Sequence, residues 1–301
     1  MTKTHPLSAM LLSAFLPGLG QWYNGQLTKA IYLMLIYIFL FPAVFVGIIH
    51  FMTPETRMDG LLLWVLAMIM LWLYAVLGAG WVAWRGATFQ YSWQNTGVYM
   101  GILVLAYVVL IPLTKFYVRQ YYVESFRVPS GSMEPNIYAG DMLFANKRYN
   151  CGGCQSKVER GDVVIFIYPN DRTQFFIKRV IALPGDQVTI KNADVSVNNK
   201  SLLKTLSSDT TGNILSIQEQ FGEHSWAVVW NDKPSLPPQV NFKVPAGQIF
   251  VLGDNRSASN DSRFFGTIPL RDVVGKADLI WMSINIKERQ LNWERIGLRI
   301  Q

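Results

Sequence analysis

The chain has 301 residues, half of them hydrophobic and only 16% charged, with a formal net charge of +7. Seven charged residues fall within 1–118 and forty within 119–301, so the chain divides into a lipid-solvated part and a water-solvated part of 183 residues, enough for one domain with its own core. The water-solvated part intersperses 22 basic with 18 acidic residues and has no basic run, which argues against recognition of nucleic acid; the mild positive bias suits proximity to anionic lipid.

In chain order, the first apolar stretch is residues 6–20 (PLSAMLLSAFLPGLG), too short for an ordinary span and ending at Pro17-Gly18. It reads as an interfacial or re-entrant helix, with a short fourth span as the alternative. A cleaved secretory signal fits poorly, because three long apolar runs follow. Residues 30–50, 61–84 and 97–118 are each long enough to cross about 30 Å of hydrocarbon. Trp22, Tyr23, Trp84, Tyr91, Trp93 and Tyr117 sit near their ends as interface anchors. Lys3 and Lys29 precede the first span and Arg85 follows the second, whereas Arg57 between them is offset by Glu55 and Asp59. The positive-inside rule puts the N-terminus in the cytoplasm, and three crossings put residues 119–301 outside.

Beyond residue 118 the pattern changes to short β-type runs. Strands are expected near 123–128, 141–147, 162–168, 174–182, 186–190, 194–197, 226–230, 248–252 and 277–282, separated by turn signals such as Arg160-Gly161 and Pro184-Gly185. The fold class is therefore N-terminal transmembrane α-helices followed by a mainly antiparallel β domain. Residues 201–223 and Pro-rich 234–238 read as a polar insertion or long loops, spanning about 201–238.

Three segments of the β domain carry candidate chemistry. Ser132 lies in Arg127-Val-Pro-Ser-Gly-Ser-Met-Glu-Pro135, where Pro129 stiffens the approach and Gly131 permits backbone geometry other residues resist. A serine displayed there could leave its own N–H, or the hydroxyl of Ser130, aimed at a developing oxyanion; a plain serine-rich turn is the alternative. Lys178 lies in a strand pattern with Phe176 and Val180 on its face. Burial there would lower its pKa and make the amine a usable base, unless the side chain snorkels to solvent. The chain has only His5, His50 and His224, none well placed as a serine's base, so a Ser-Lys pair is the alternative arrangement. Gly253-Asp-Asn-Arg-Ser-Ala-Ser-Asn-Asp-Ser-Arg263 offers hydroxyls and charges that could orient a buried amine, or is a plain turn; its carboxylates are too few for a calcium loop.

Together these frames, with Ile177-Lys-Arg…Leu183-Pro-Gly-Asp186 and Arg160-Gly-Asp-Val-Val164, resemble bacterial type I signal peptidases of the Ser-Lys class across roughly residues 120–282. The resemblance implies that Ser132 is the nucleophile and Lys178 the general base. It implies an oxyanion hole from the Ser130 hydroxyl and the Ser132 N–H, and Ser259 as the residue that orients the lysine. Asp254, Asp261 and Arg263 would hold the site together, and Phe126, Val128, Pro129, Met133 and Ile177 would line shallow pockets for small side chains. The implied reaction is cleavage of exported preproteins after Ala-x-Ala-like sites at the outer face of the bacterial inner membrane, with no metal or organic cofactor.

The chain departs from that pattern at Ser257-Ala258, at Glu134, which stands where an uncharged residue is commoner and could colour substrate choice, and in the size of its N-terminal block. Within that block, residues 17–26 (PGLGQWYNGQ) resemble small two-helix membrane modules of unknown role. Cys151 and Cys154 read as a local disulfide in an oxidising periplasm; a redox pair lacks a thioredoxin-like context, and zinc would need two more ligands. Two other functions fit parts of the sequence: a specialised Ser-Lys protease that matures a pilus or conjugation protein, and a non-catalytic membrane scaffold that binds peptides.

Overall fold

The computed structural model describes residues 3–88, 91–150, 154, 157–191, 194–208, 214–231, 239–286 and 288–300. They fall into two compact units, Met1–Tyr122 and Val123–Gln301.

The first unit is helical. Helix α1 (Pro6–Phe15) and the short α2 (Leu19–Tyr23) precede three long helices, α3 (Leu27–Phe51), α4 (Pro54–Trp84) and α5 (Thr96–Tyr121). All three are long and apolar enough to cross a membrane, whereas α1, at 10 residues, extends only about 15 Å. The helices start earlier than the apolar runs because caps rather than hydropathy end them: Pro54 opens α4, and the Asn95 side chain accepts from Val98 N at 3.1 Å at the start of α5. The two helices with a proline in mid-course, α3 and α5, widen into π turns at Ile36–Leu40 and Leu105–Leu110. Pro42 and Pro112 lack an N–H, and their rings press on the carbonyls four residues back, Ile38 and Val108, which lie inside those turns.

Helix α1 packs on α4 through small residues, Ala9 against Ala79 and Ala83. The chain then turns at Gly18, whose φ of +107° favours glycine. The polar residues that follow are held by helix backbone: Gln21 Nε2 donates to Ala75 O and Asn24 Nδ2 to Ala79 O, both at 2.7 Å. Ser13 Oγ donates to Gln21 Oε1 at 3.0 Å. Residues 6–20 thus form a short packed helix and a turn.

The second unit is built of antiparallel sheets. Its strands are β1 (Val123–Arg127), β2 (Asp141–Asn146), β3 (Val163–Ile167), β4 (Phe175–Ala182), β5 (Gln187–Lys191), β6 (Asp194–Val197) and β7 (Lys200–Ser201). Then come β8 (Leu203–Ser208), β9 (Ile214–Phe221), β10 (His224–Asn231), β11 (Val240–Lys243), β12 (Gln248–Leu252), β13 (Ile268–Pro269), β14 (Val273–Asn285) and β15 (Gln290–Leu291), with a single-turn helix α6 (Ser262–Phe265) before β13. The main sheet runs β1-β2-β14-β3-β4-β12-β13, with β15 on β14; smaller sheets run β10-β9-β8 and β11-β5-β6-β7.

Strand β3 is buried on both faces, which is why it reads as an unbroken apolar run. Val163 and Ile165 join one cluster with Met133, Leu143 and Ile280, while Val164 and Phe166 join another with Val180 and Val251. A third cluster, including Trp226, Trp230, Phe250 and Val188, joins the main sheet to both smaller ones.

The reading of the polar stretch as long loops needs correction. The described residues of 201–223 hold β8 and β9, which form a sheet with β10. Their polar alternation reflects one solvated face and one packed face, with Ile217 buried beneath. Strand β11 was likewise hidden by its polar sequence. Residues 234–238 and Cys151 lie outside the described residues; Cys154 is disulfide-bonded.

A methyl group added at Gly20 would lie 2.1 Å from Ala9 O and 2.8 Å from Ala79 Cβ. Gly20→Val is therefore expected to destabilise the helical unit by about 2 kcal/mol, read as a lower melting midpoint in detergent. Gly47→Ala, with nothing within 4 Å of the added carbon, should leave the midpoint unchanged.

Candidate active site

Lys178 lies mid-strand on β4, paired with Val164 of β3. It shares a face with Phe176 and Val180, whose cluster includes Phe166 and Val251. The side chain is 4% exposed, and its Nζ lies 5.5 Å from the Phe176 ring centroid. Burial pushes its pKa down from 10.5 to about 8, against the opposing charges of Asp261 and Asp254 and with help from Arg263. The lysine is therefore buried rather than snorkelling.

Ser132 sits in the loop joining β1 to β2. Buried Val128, Met133 and Ile137 pin that loop to the apolar cluster. Ser132 Oγ lies 2.8 Å from Lys178 Nζ, which also donates to Ile177 O at 2.9 Å. Ser130 Oγ lies 3.4 Å from Ser132 Oγ, on the exposed side. Two bonds from Asn255 hold the turn: its N donates to Ser132 O at 3.1 Å and its Nδ2 to Gly131 O at 3.2 Å. Gly131 is not among the glycines with positive φ, so its expected backbone role gives way to a steric one. A methyl there would lie 2.5 Å from Glu134 Oε1.

The segment after β12 supplies the charges. Gly253 N donates to Asp261 Oδ2 at 3.0 Å, and Arg263 Nε and Nη2 bind Asp261 at 2.7 and 2.8 Å. Asp254 does not pair with Arg263. It takes Arg179 Nε at 2.8 Å, Arg179 Nη2 at 2.7 Å and Asn136 Nδ2 at 2.7 Å. Arg179, facing away from Lys178 along β4, lies 5.0 Å from the Trp226 ring centroid.

The expected role of Ser259 is not realised as a hydrogen bond to the lysine. Ser259 is buried beside Gly253, where a methyl on Gly253 would meet both Ser259 Oγ at 2.2 Å and Ser132 O at 2.5 Å. Its hydroxyl finds no partner among the described residues, and the lysine's contacts go to Ser132 and Ile177 instead. Among the expected pocket residues, Phe126 and Ile177 are partly buried against the cluster that contains Val128 and Met133, while Pro129 is exposed. Phe126 also meets Phe175 edge to face at 5.5 Å.

Sequence reasoning missed Arg179, Asn136, Arg256 and Glu219. Arg256 Nη2 donates to Glu219 Oε2 at 2.5 Å and its Nε to Gly253 O at 3.1 Å, and Trp226 Nε1 donates to the same Glu219 oxygen at 2.9 Å. Both side chains of the pair are 1% exposed. Glu219→Leu would leave the arginine charge buried alone, so it is expected to destabilise the fold by about 3–5 kcal/mol. Adding Arg256→Met should recover much of that loss, as read by denaturant unfolding of the detergent-solubilised chain.

The sequence profile described as "Signal peptidase, peptidase S26" matches residues 99–282, more than half of the chain. Signal peptidase I of Pseudomonas aeruginosa is 34% identical over 189 residues, covering 55% of this chain and 66% of that enzyme. Signal peptidase I of Pseudomonas fluorescens is 36% identical over 210 residues, covering 60% of this chain and 72% of its own length. Signal peptidase I of Rickettsia conorii is 32% identical over 214 residues, covering 60% and 78% respectively. The profile takes in the serine turn, the buried lysine strand and the arginine-laced segment after β12, and the chain belongs to the signal peptidase family, peptidase S26.

Proposed function

We propose that this protein is a membrane-bound signal peptidase whose Ser132 and Lys178 cleave signal peptides from exported preproteins after Ala-x-Ala-like sites. The observation that carries the reading is the 2.8 Å approach of a serine hydroxyl to an amine that is 4% exposed. An amine whose pKa is pushed down to about 8 is partly neutral at physiological pH, as a general base must be.

In the forward step, neutral Lys178 takes the proton from Ser132 Oγ, and Oγ attacks the scissile carbonyl. The oxyanion is met by the Ser132 N–H and the Ser130 hydroxyl. Protonated Lys178 then gives its proton to the leaving amine as the C–N bond breaks, leaving an acyl-enzyme. Neutral again, it takes a proton from water, whose oxygen attacks the ester; as the acyl–Oγ bond breaks, Lys178 gives that proton to Ser132 Oγ and the signal peptide is released. The substrate lies extended and adds to the sheet by main-chain hydrogen bonds, with small side chains against Phe126, Val128, Met133 and Ile177. The loop charges support a cytoplasmic N-terminus, which puts the catalytic unit on the outer side beside lipid.

Ser132→Ala and Lys178→Ala are each expected to abolish cleavage of an Ala-x-Ala precursor in detergent while leaving the chain folded. Lys178→Arg should be equally inactive, because arginine stays charged. Cleavage by Lys178→Ala at the wild-type rate would remove the lysine from the mechanism.

The pH dependence follows from the lowered pKa. The kcat/KM for the precursor should rise with pH and reach half its plateau near 8. Below that pH the fold must hold a charged amine in a dry site, which costs stability. Stability should therefore rise with pH between about 8 and the unfolded value near 10.4. Lys178→Met should raise the melting midpoint at pH 7, with the gain fading above that window.

A further inference from the structure

Each buried carboxylate around the serine and lysine is paired with an arginine: Asp254 with Arg179, Asp261 with Arg263 and Glu219 with Arg256. Glu134 is different. It is half-buried, two residues beyond the nucleophile, and its carboxylate makes no hydrogen bond or ion pair with a described residue. Its backbone N donates to Gly131 O at 3.2 Å, which closes the turn. Its side chain folds back over that turn: a methyl on Gly131 would lie 2.5 Å from Oε1, 2.8 Å from Cδ and 3.3 Å from Oε2. The carboxylate thus rests on the residue between Ser130 and Ser132.

We propose that Glu134 is a specificity-determining residue, selecting for basic and against acidic side chains in the preprotein segment that flanks the scissile bond. The proposal rests on Ser132 being the nucleophile. A carbonyl brought to Ser132 Oγ carries its neighbouring residues past the carboxylate at about 3.3 Å of chain per residue. Because no arginine neutralises Glu134, its field reaches those side chains. A unit charge some 7 Å away changes a rate constant roughly 3- to 30-fold, depending on the local dielectric. Its partial exposure makes the effect sensitive to salt.

The test uses the full chain in neutral detergent and peptides with an Ala-x-Ala site. Lys, Gln or Glu is placed either between the two alanines or directly after the scissile bond. For the wild type at low ionic strength, the ratio of kcat/KM for Lys over Glu, which are two unit charges apart, should exceed 1 by roughly 10- to 1,000-fold at one of these positions. It should collapse toward 1 in Glu134→Gln and at high salt, and invert in Glu134→Lys. An unchanged ratio in both variants, with the Gln peptide still cleaved and Ser132→Ala inactive, would overturn the role of Glu134 alone. Equal cleavage of the Gln peptide by wild type and Ser132→Ala would overturn the nucleophile and this inference with it.

Discussion

A dry amine beside a hydroxyl is the constraint on which the rest of the catalytic unit depends. On the proposed mechanism Lys178 serves as a base only where water does not stabilise its charged form, and burial on β4 against Phe176, Val164 and Val180 provides that place. The same dryness makes every other charge nearby expensive. Asp254 and Asp261 pull the lysine back toward its charged state, and unpaired they would pull harder. Arg179 and Arg263 take up those carboxylates, so the amine stays easy to deprotonate while the segment after β12 stays anchored.

That anchoring fixes the turn that carries Ser132, the proposed nucleophile, as well. Asn255 holds Ser132 O and Gly131 O, while Asp261 and Arg256 hold the N–H and the carbonyl of Gly253 beneath them. Glu219 extends the network into the sheet β10-β9-β8, and Asn136 joins it by donating to both Ala227 O and Asp254. Buried ion pairs of this kind add little net stability over well-packed apolar groups, but removing one partner is costly. Their value here is geometric, since they keep the turn, the strand and the segment after β12 in one register.

Much of this was legible in the sequence, and the failures have physical causes. Ser132 and Lys178 stood out because their frames are distinctive and because a lysine among apolar strand residues breaks the alternation. Arg179 breaks it equally, but an arginine's partner, here 75 residues away, leaves no local trace. Glu219 was hidden because it interrupts the inward face of β9 between Ile217 and Phe221, so a packed strand looked like a polar loop. Ser259 was placed near the right neighbours without the expected bond, since position in a frame does not dictate where a hydroxyl points. In the helical unit, the apolar runs mark the long helices, while residues 17–26 show in the sequence only a resemblance to membrane modules of unknown role, and Gln21 and Asn24 donating to the carbonyls of α4 is a contact that leaves no local trace.

The most direct test of this account is the titration of Lys178 itself. Lysine labelled with carbon-13 at Cε, in the full chain in detergent and with the signal assigned by its loss in Lys178→Arg, reports the charge on the amine as pH is varied. The account predicts that the Lys178 signal titrates near pH 8. A Lys178 signal that titrates near its ordinary value of 10.5 would show that burial does not free the amine at working pH, and the Ser-Lys mechanism would lose its base.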